Sequence, residues 1–379
     1  MSSMFCLHKK VSCSTVWLFS CTKLGCLHHN DYSLFTQRAG SDLIVILVYV
    51  DDLLVTGNNV ELIHQVRTDL QAKFKMKDLG ELKFFLGIEF SRSKEGILMN
   101  QRKYALELVS ELGLAGGKPV ATPLEFNHKL TSVAFDEFMN KGEASTDAQL
   151  EDPGSYQRLV GRLLYLTMTR RDIAFVVQVL SQHMHAPKQS HMEATVRVVK
   201  YIKGTAGLGL LMPAKGNKEL VAYCDSDWGS CVETRKSITS YIVKFGEALI
   251  SWKSKKQSTV SRSSAESEFR SMAATVAEVT WLVGLFGELG IGVNTPVQLF
   301  CDSKAAIQIA AHPIFHERTK YFDIDCLFVR EKIEGDQIQT QHIGTKEQPA
   351  DLLTKSLCKP QHEYLNSKLE MKNLFHPSA

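Results

Sequence analysis

Leu220-Val221-Ala222-Tyr223-Cys224-Asp225-Ser226-Asp227-Trp228-Gly229 is the stretch on which the reading of this chain turns. The apolar run Leu220 to Cys224 reads as a buried β-strand, and it ends in a carboxylate. A carboxylate at the end of a buried strand is costly unless it is paired or holds a metal. Working outward, the pattern recurs in Val297-Gln298-Leu299-Phe300-Cys301-Asp302. Glu266, in SRSSAESEFRSM, and Asp351, in KEQPADLLTK, fall in segments that read as helices. Two strands and two helices therefore each offer one carboxylate: Asp225, Glu266, Asp302 and Asp351. Such a set suits two divalent cations about 3.5–4 Å apart that activate water against a phosphodiester.

The surrounding pattern predicts the frame that would carry them. Leu220–Asp225, Ser237–Phe245 and Ala248–Trp252 read as consecutive strands, the last two joined by a tight turn at Gly246-Glu247. Ser263–Leu289 reads as a long helix, Val297–Asp302 as a strand running into a helix at Lys304–Ala311, and Tyr321–Lys332 as another helix. Ile338–Ile343 reads as a fifth strand and Pro349–Leu357 as a last helix. The expectation is a mixed five-stranded sheet with helices packed on it. Each acid also has a plainer reading. Asp225 and Asp227 suit a turn, Ser263-x-x-Glu266 a capping box, Asp302 a helix cap, and Asp351 the positive end of a helix.

Upstream, Ser41-Asp42-Leu43-Ile44-Val45-Ile46-Leu47-Val48-Tyr49-Val50-Asp51-Asp52-Leu53-Leu54-Val55-Thr56 reads as two strands around a tight turn. Adjacent acids, Asp51 and Asp52, inside an apolar hairpin are hard to justify as packing. An amphipathic helix starts near Asn58 or Asn59, followed by strands at Phe84–Phe90 and Ile97–Met99 and a helix at Gln101–Leu112. Residues 115–153 are rich in glycine, proline and acids and read as a linker. Helical spacing resumes through Leu159, Leu163, Leu166, Val176 and Leu180, and a further helix runs from Met192 to Ile202. Arg158, Arg162, Arg170 and Arg171 read either as phosphate contacts or as a solvated face.

Bulk properties narrow the classes. With 379 residues the chain has room for two or three domains. A formal net charge of +3 is too small to argue nucleic-acid binding alone. Its nine cysteines form no Cys-x-x-Cys, and Cys21, Cys26, His28 and His29 fit no standard zinc spacing. Their scatter suggests reduced thiols in an intracellular protein. No apolar run of 18 residues predicts a membrane span, and the start lacks a signal-peptide pattern.

In order, spacing and context, the four acids resemble those of the RNase H domain in copia-type LTR-retrotransposon Pol polyproteins. Tyr49-Val50-Asp51-Asp52 resembles the catalytic turn of the matching reverse transcriptase. The resemblance implies an α/β chain in five parts: a leader outside the family over 1–30, a partial palm and thumb over 31–125, a linker over 126–153, a helical connection over 154–215, and an RNase H-like domain over 216–379. It implies catalysis by Asp225, Glu266, Asp302 and Asp351 through two Mg2+ or Mn2+ ions, with His342 helping protons and product leave. Asp227, Glu268 and Asp323 are second choices for the metal. The implied partner is an RNA–DNA hybrid, with single-stranded or duplex nucleic acid as further partners, and Trp252, Lys253, Lys255, Lys256 and Arg262 on the phosphate side. The palm strand bearing the family's first polymerase aspartate is not recognisable, so Asp51 and Asp52 read as a polymerase remnant. The alternative is a catalytically silent remnant that still binds nucleic acid.

Overall fold

The computed structural model describes residues 3–9, 33–139, 147–311 and 323–373. The cysteine- and histidine-bearing stretch 21–29, and residues 316–322, lie outside them. The chain divides into two compact units, Met1–Met99 with Thr280–Val293, and Asn100–Val279 with Asn294–Ala379.

The first unit is built on a hairpin. β1 (Ser3–Lys9), β2 (Leu34–Ala39), β3 (Asp42–Tyr49) and β4 (Asp52–Gly57) precede helix α1 (Val60–Lys73) and β5 (Met76–Glu81). The sheet order is β2-β3-β4-β1-β5. Ile44, Ile46 and Val48 alternate inward with Leu53 and Val55 and meet Ile63 and Leu70 of α1. Asn59 caps α1, its Oδ1 accepting from Leu62 N at 3.2 Å, while Asn58 Oδ1 accepts from Leu43 N at 2.8 Å. The unpatterned start of the chain thus supplies an interior strand of this sheet: β1 pairs with both β4 and β5. The strand expected over Phe84–Phe90 is broken at Leu86, whose φ is 50°, into β6 (Phe84–Phe85) and β7 (Ile88–Arg92); β8 is Gly96–Asn100.

In the second unit, α2 (Arg102–Glu111), α3 (Val133–Met139), α4 (Pro153–Leu166), α5 (Ala174–Ser181) and α6 (Gln189–Gly204) come first. Leu108, Leu159, Leu163, Val177, Val198 and Ile202 form one buried cluster among them. The polar stretch read as a linker is pinned on either side of residues 140–146, because buried Lys188 pairs with Asp136 and, at 2.9 Å, with Asp147.

Arg170 and Arg171 overturn the reading of a solvated or phosphate-facing pair, for both are fully buried. Arg170 donates to Asp172 through Nε at 2.9 Å and Nη2 at 2.7 Å, and Tyr201 Oη donates to the same carboxylate at 2.7 Å. Asp172 is held down to about 2 because the guanidinium and phenol outweigh its burial. Burial draws Arg171 down to about 9. Arg162 instead pairs with Glu111 at the surface.

β9 (Leu208–Pro213) leads to the second unit's large sheet, made of β10 (Leu220–Asp227), β11 (Ile238–Phe245), β12 (Ala248–Lys256), β13 (Val297–Cys301) and β14 (Ile338–His342). The order is β12-β11-β10-β13-β14, with the first pairs antiparallel and the β10–β13 and β13–β14 pairs parallel. All five expected strands are present. Helix α7 (Ser264–Glu288) makes the crossover to β13, and α8 (Lys304–Ala311) and α9 (Asp323–Glu334) the one to β14. Among the described residues only α7 is long and apolar enough to cross a membrane. Its Phe269, Met272, Val276 and Val279 are buried in the protein instead. The last expected helix is not formed at Pro349. A 3-10 turn, Pro349–Leu353, stands there, and α10 (Lys359–Lys368) and the short β15 (Met371–Asn373) follow.

Asp172→Asn leaves Arg170 and Arg171 buried without a counter-charge. It should destabilise the fold by about 3–5 kcal/mol, read from urea unfolding of the full chain.

Candidate active site

Parallel pairing sets the site. Cys224 stands opposite Cys301, and Cys301 opposite His342, so β13 and β14 end level with Cys224 of β10. Asp302 follows directly after β13, and Asp225 is the next residue of β10, which runs on beside β11 to Asp227. The 3-10 turn bearing Asp351 is tied beneath them. Gln348 Nε2 donates to Cys224 O at 2.9 Å, Ser240 Oγ to Ala350 O at 3.0 Å, and Ser254 Oγ to Leu353 O at 2.6 Å. Thr354 Oγ1 donates to Asp225 Oδ2. Lys355 Nζ lies 2.7 Å from Asp351 Oδ1 and 3.3 Å from Asp225 Oδ1, one ammonium shared by two carboxylates.

Helix α7 supplies the remaining acid, and it is Glu268 that reaches the cluster. Glu266 turns away. Its Oε2 accepts from Arg262 N at 2.8 Å, its Oε1 meets Arg270 Nη2 at 2.9 Å, and Ser263 Oγ accepts from its backbone N at 3.2 Å. The capping box therefore describes Glu266. Two helical residues on, a rotation of roughly 200° carries Glu268 to the opposite side. There it borders the buried stripe of Phe269 and Met272. The signal was legible as helical phase, since Glu268 leads into the apolar face and Glu266 does not. Ser271, one turn further along, has Oγ 2.7 Å from Asp225 O and 2.8 Å from Ser240 O, fixing α7 against the sheet.

The electrostatics record the crowding. Glu268 is pushed up to about 10, by burial first and then by Asp225, Cys301 and Asp302. Burial and then Asp225 raise Asp351 to about 7, even against its contact with Lys355. Asp302 is raised by burial and Asp225, and eased by Thr345 Oγ1, which donates to its Oδ2 at 3.0 Å. Among the described residues, Oε2 of buried Glu268 has no hydrogen-bond partner. Asp225, Glu268, Asp302 and Asp351 present only hard oxygen donors, a set able to hold a hard divalent cation. His342 is exposed at the end of β14. Asp227 is half-buried beside Lys129 and Lys355. The side chain of Asp323 lies outside the described residues.

In the first unit, the turn between β3 and β4 holds Asp51 exposed and Asp52 half-buried. Val50, a β-branched residue, has φ of 46°, a strained left-handed conformation. Residues 26–126 match the reverse transcriptase (RNA-dependent DNA polymerase) family. The chain is 38% identical over 340 residues, 90% of its length, to the retrovirus-related Pol polyprotein from transposon RE1 of Arabidopsis thaliana. It is 30% identical over 261 residues to the putative transposon Ty5-1 protein of Saccharomyces cerevisiae, covering 68% of this chain and 81% of that protein. The chain belongs to the copia-type retrotransposon Pol family. It spans 22% of the length of the RE1 polyprotein. The N-terminal RNase H domain of a Mycobacterium tuberculosis protein, solved as a fusion with maltose-binding protein, is similar to 40% of this Pol chain at 13% identity. Its TM-score of 0.25 carries no argument.

The site gives this Pol chain a pH signature. An unfolded aspartate loses its proton near ~3.9, whereas folded Asp351 keeps it to about 7. Between those values the folded protein binds more protons, so its stability falls as pH rises. The contribution of Asp172, with its lowered pKa, is already complete at the lower edge of that window. Asp351→Asn should lessen the fall between about pH 4 and 7 and leave the part due to Glu268, which keeps its proton to about 10, measured by denaturant unfolding across pH without added metal.

Proposed function

We propose that this chain is a metal-dependent endonuclease that cuts the RNA strand of RNA–DNA hybrids on an RNase H-like domain. The observation that carries the reading is the meeting of Asp225 in β10, Glu268 of α7, Asp302 just after β13 and Asp351 of the 3-10 turn. The buried, unpartnered Oε2 of Glu268 fits a cation contact. In this reading these four residues hold two Mg2+ or Mn2+ ions. When bound, such ions lower the pKa of attacking water and neutralise charge on the scissile phosphate. Lys355 keeps Asp225 and Asp351 aligned while they await their ligands. His342, exposed where β14 ends opposite Cys301, is the group that would help protons and product leave. Lys253 and Lys255 are exposed on edge strand β12 and suit backbone phosphates. A hybrid would be gripped through phosphates and 2′-hydroxyls across its shallow minor groove, without reading sequence.

The Asp51–Asp52 turn belongs to the reverse-transcriptase segment. Of the two strands paired with β4, β1 bears no carboxylate and sets His8 opposite Asp52, and β3 carries only Asp42, at the end away from that turn. Nucleotidyl transfer is therefore not part of this proposal.

The test is cleavage of a hybrid labelled on the RNA strand, with magnesium, by wild type, Glu268→Gln and Glu266→Gln. Wild type should cut the RNA. Glu268→Gln should lower the rate by roughly 100-fold or more. Glu266→Gln should cut normally and lose only about 0.3–1.5 kcal/mol of stability with its cap. A wild-type chain that retards the hybrid in low salt without cutting it would identify a binding remnant.

A further inference from the structure

Beside the oxygen cluster stands a sulfur that the nuclease reading does not use. Cys301 is the last residue of β13 and is fully buried. Its Sγ accepts from Ser303 N at 3.4 Å and donates to Ser303 O at 4.0 Å. One ligand atom each from Glu268, Cys301 and Asp302 lies within 4.8 Å of the other two. Glu268 is nine-tenths buried, and its Oε2 has no partner among the described residues. Ligand atoms around a tetrahedral zinc are about 3.5 Å apart, so small side-chain rotations would close the set.

We propose that Glu268, Cys301 and Asp302 form a binding site for a thiophilic divalent cation, with zinc the best fit. A thiolate with two carboxylates discriminates against magnesium and calcium, which take oxygen alone, and favours borderline ions. On binding, the Cys301 thiol and the Glu268 carboxyl each give a proton to solvent as the sulfur and oxygen bonds to the metal form. The fourth position is left to water, reached past half-exposed Asp302. Because Glu268 and Asp302 are shared, zinc here would displace the ions of the proposed nuclease and switch it off. That consequence rests on the nuclease reading; the binding site does not.

The experiment uses the full chain stripped of metal and titrated with Co2+. A near-ultraviolet thiolate-to-cobalt charge-transfer band should grow to one ion per chain and bleach when Zn2+ is added. The band should vanish in Cys301→Ser and survive in Cys224→Ser. Glu268→Gln should weaken cobalt binding by about 10- to 100-fold, at least the cost of losing an outer-shell partner. The absence of a band in wild type, its survival in Cys301→Ser, or unchanged affinity in Glu268→Gln would each overturn the site. In hybrid cleavage with magnesium, the Zn2+ concentration for half-inhibition should rise by about the same factor in Cys301→Ser. A chain that shows the band yet cuts no hybrid would sink the nuclease and leave the metal site standing.

Discussion

Like charges gathered at one end of a sheet repel one another, and the second unit is arranged around that repulsion. Two unit charges 4 Å apart cost about 4 kcal/mol at the effective dielectric of a protein surface. The protein answers in several ways. Lys355 supplies one ammonium to Asp225 and Asp351. Thr354 and Thr345 hydroxyls satisfy carboxylate oxygens. Glu268 and Asp351 hold on to protons that isolated acids would have lost. Gln348, Ser240 and Ser254 tie the acidic turn to three neighbouring strands, so the repulsion does not push it away.

A second buried charge cluster in the same unit has a different character. Arg170, Asp172 and Tyr201 are matched donor to acceptor, and the resulting pKa shifts favour the ionised forms of the arginine and the aspartate. Around Asp225 the shifts of Glu268, Asp302 and Asp351 favour the uncharged forms. The first cluster is closed on itself and reads as structure. The second gathers more carboxyl groups than its one lysine can offset, and the proposed cation site rests on that imbalance.

Much of this was legible in the chain itself. Leu220–Cys224 declared its strand through an unbroken apolar run and Val297–Cys301 through one interrupted only by Gln298, and their parallel pairing brought Asp225 and Asp302 together. What failed had local causes. Glu266 satisfied a capping pattern and also stood first in its segment, so proximity in sequence outweighed helical phase. Arg170 and Arg171 looked solvated because charge is normally exposed, and the groups that complete their burial, Tyr201 on Asp172 and the Asn366 carbonyl on Arg171, lie far along the chain. Pro349–Leu353 has helix-forming residues, but its carbonyls are committed to Ser240 and Ser254, which stops it at a 3-10 turn. Nothing in residues 3–9 announces a strand; its place is fixed by β4 and β5 on either side.

The ammonium of Lys355 and the carboxylate of Asp225 are 130 residues apart in the chain. The long crossover through α7 comes between them, and parallel strands close late because their loops cost entropy first. Until the turn at residues 349–353 docks, β10 carries a carboxylate with neither its lysine nor its threonine. Assembly of the site is therefore coupled to completion of the sheet: chains caught partway have strands but no acidic cluster.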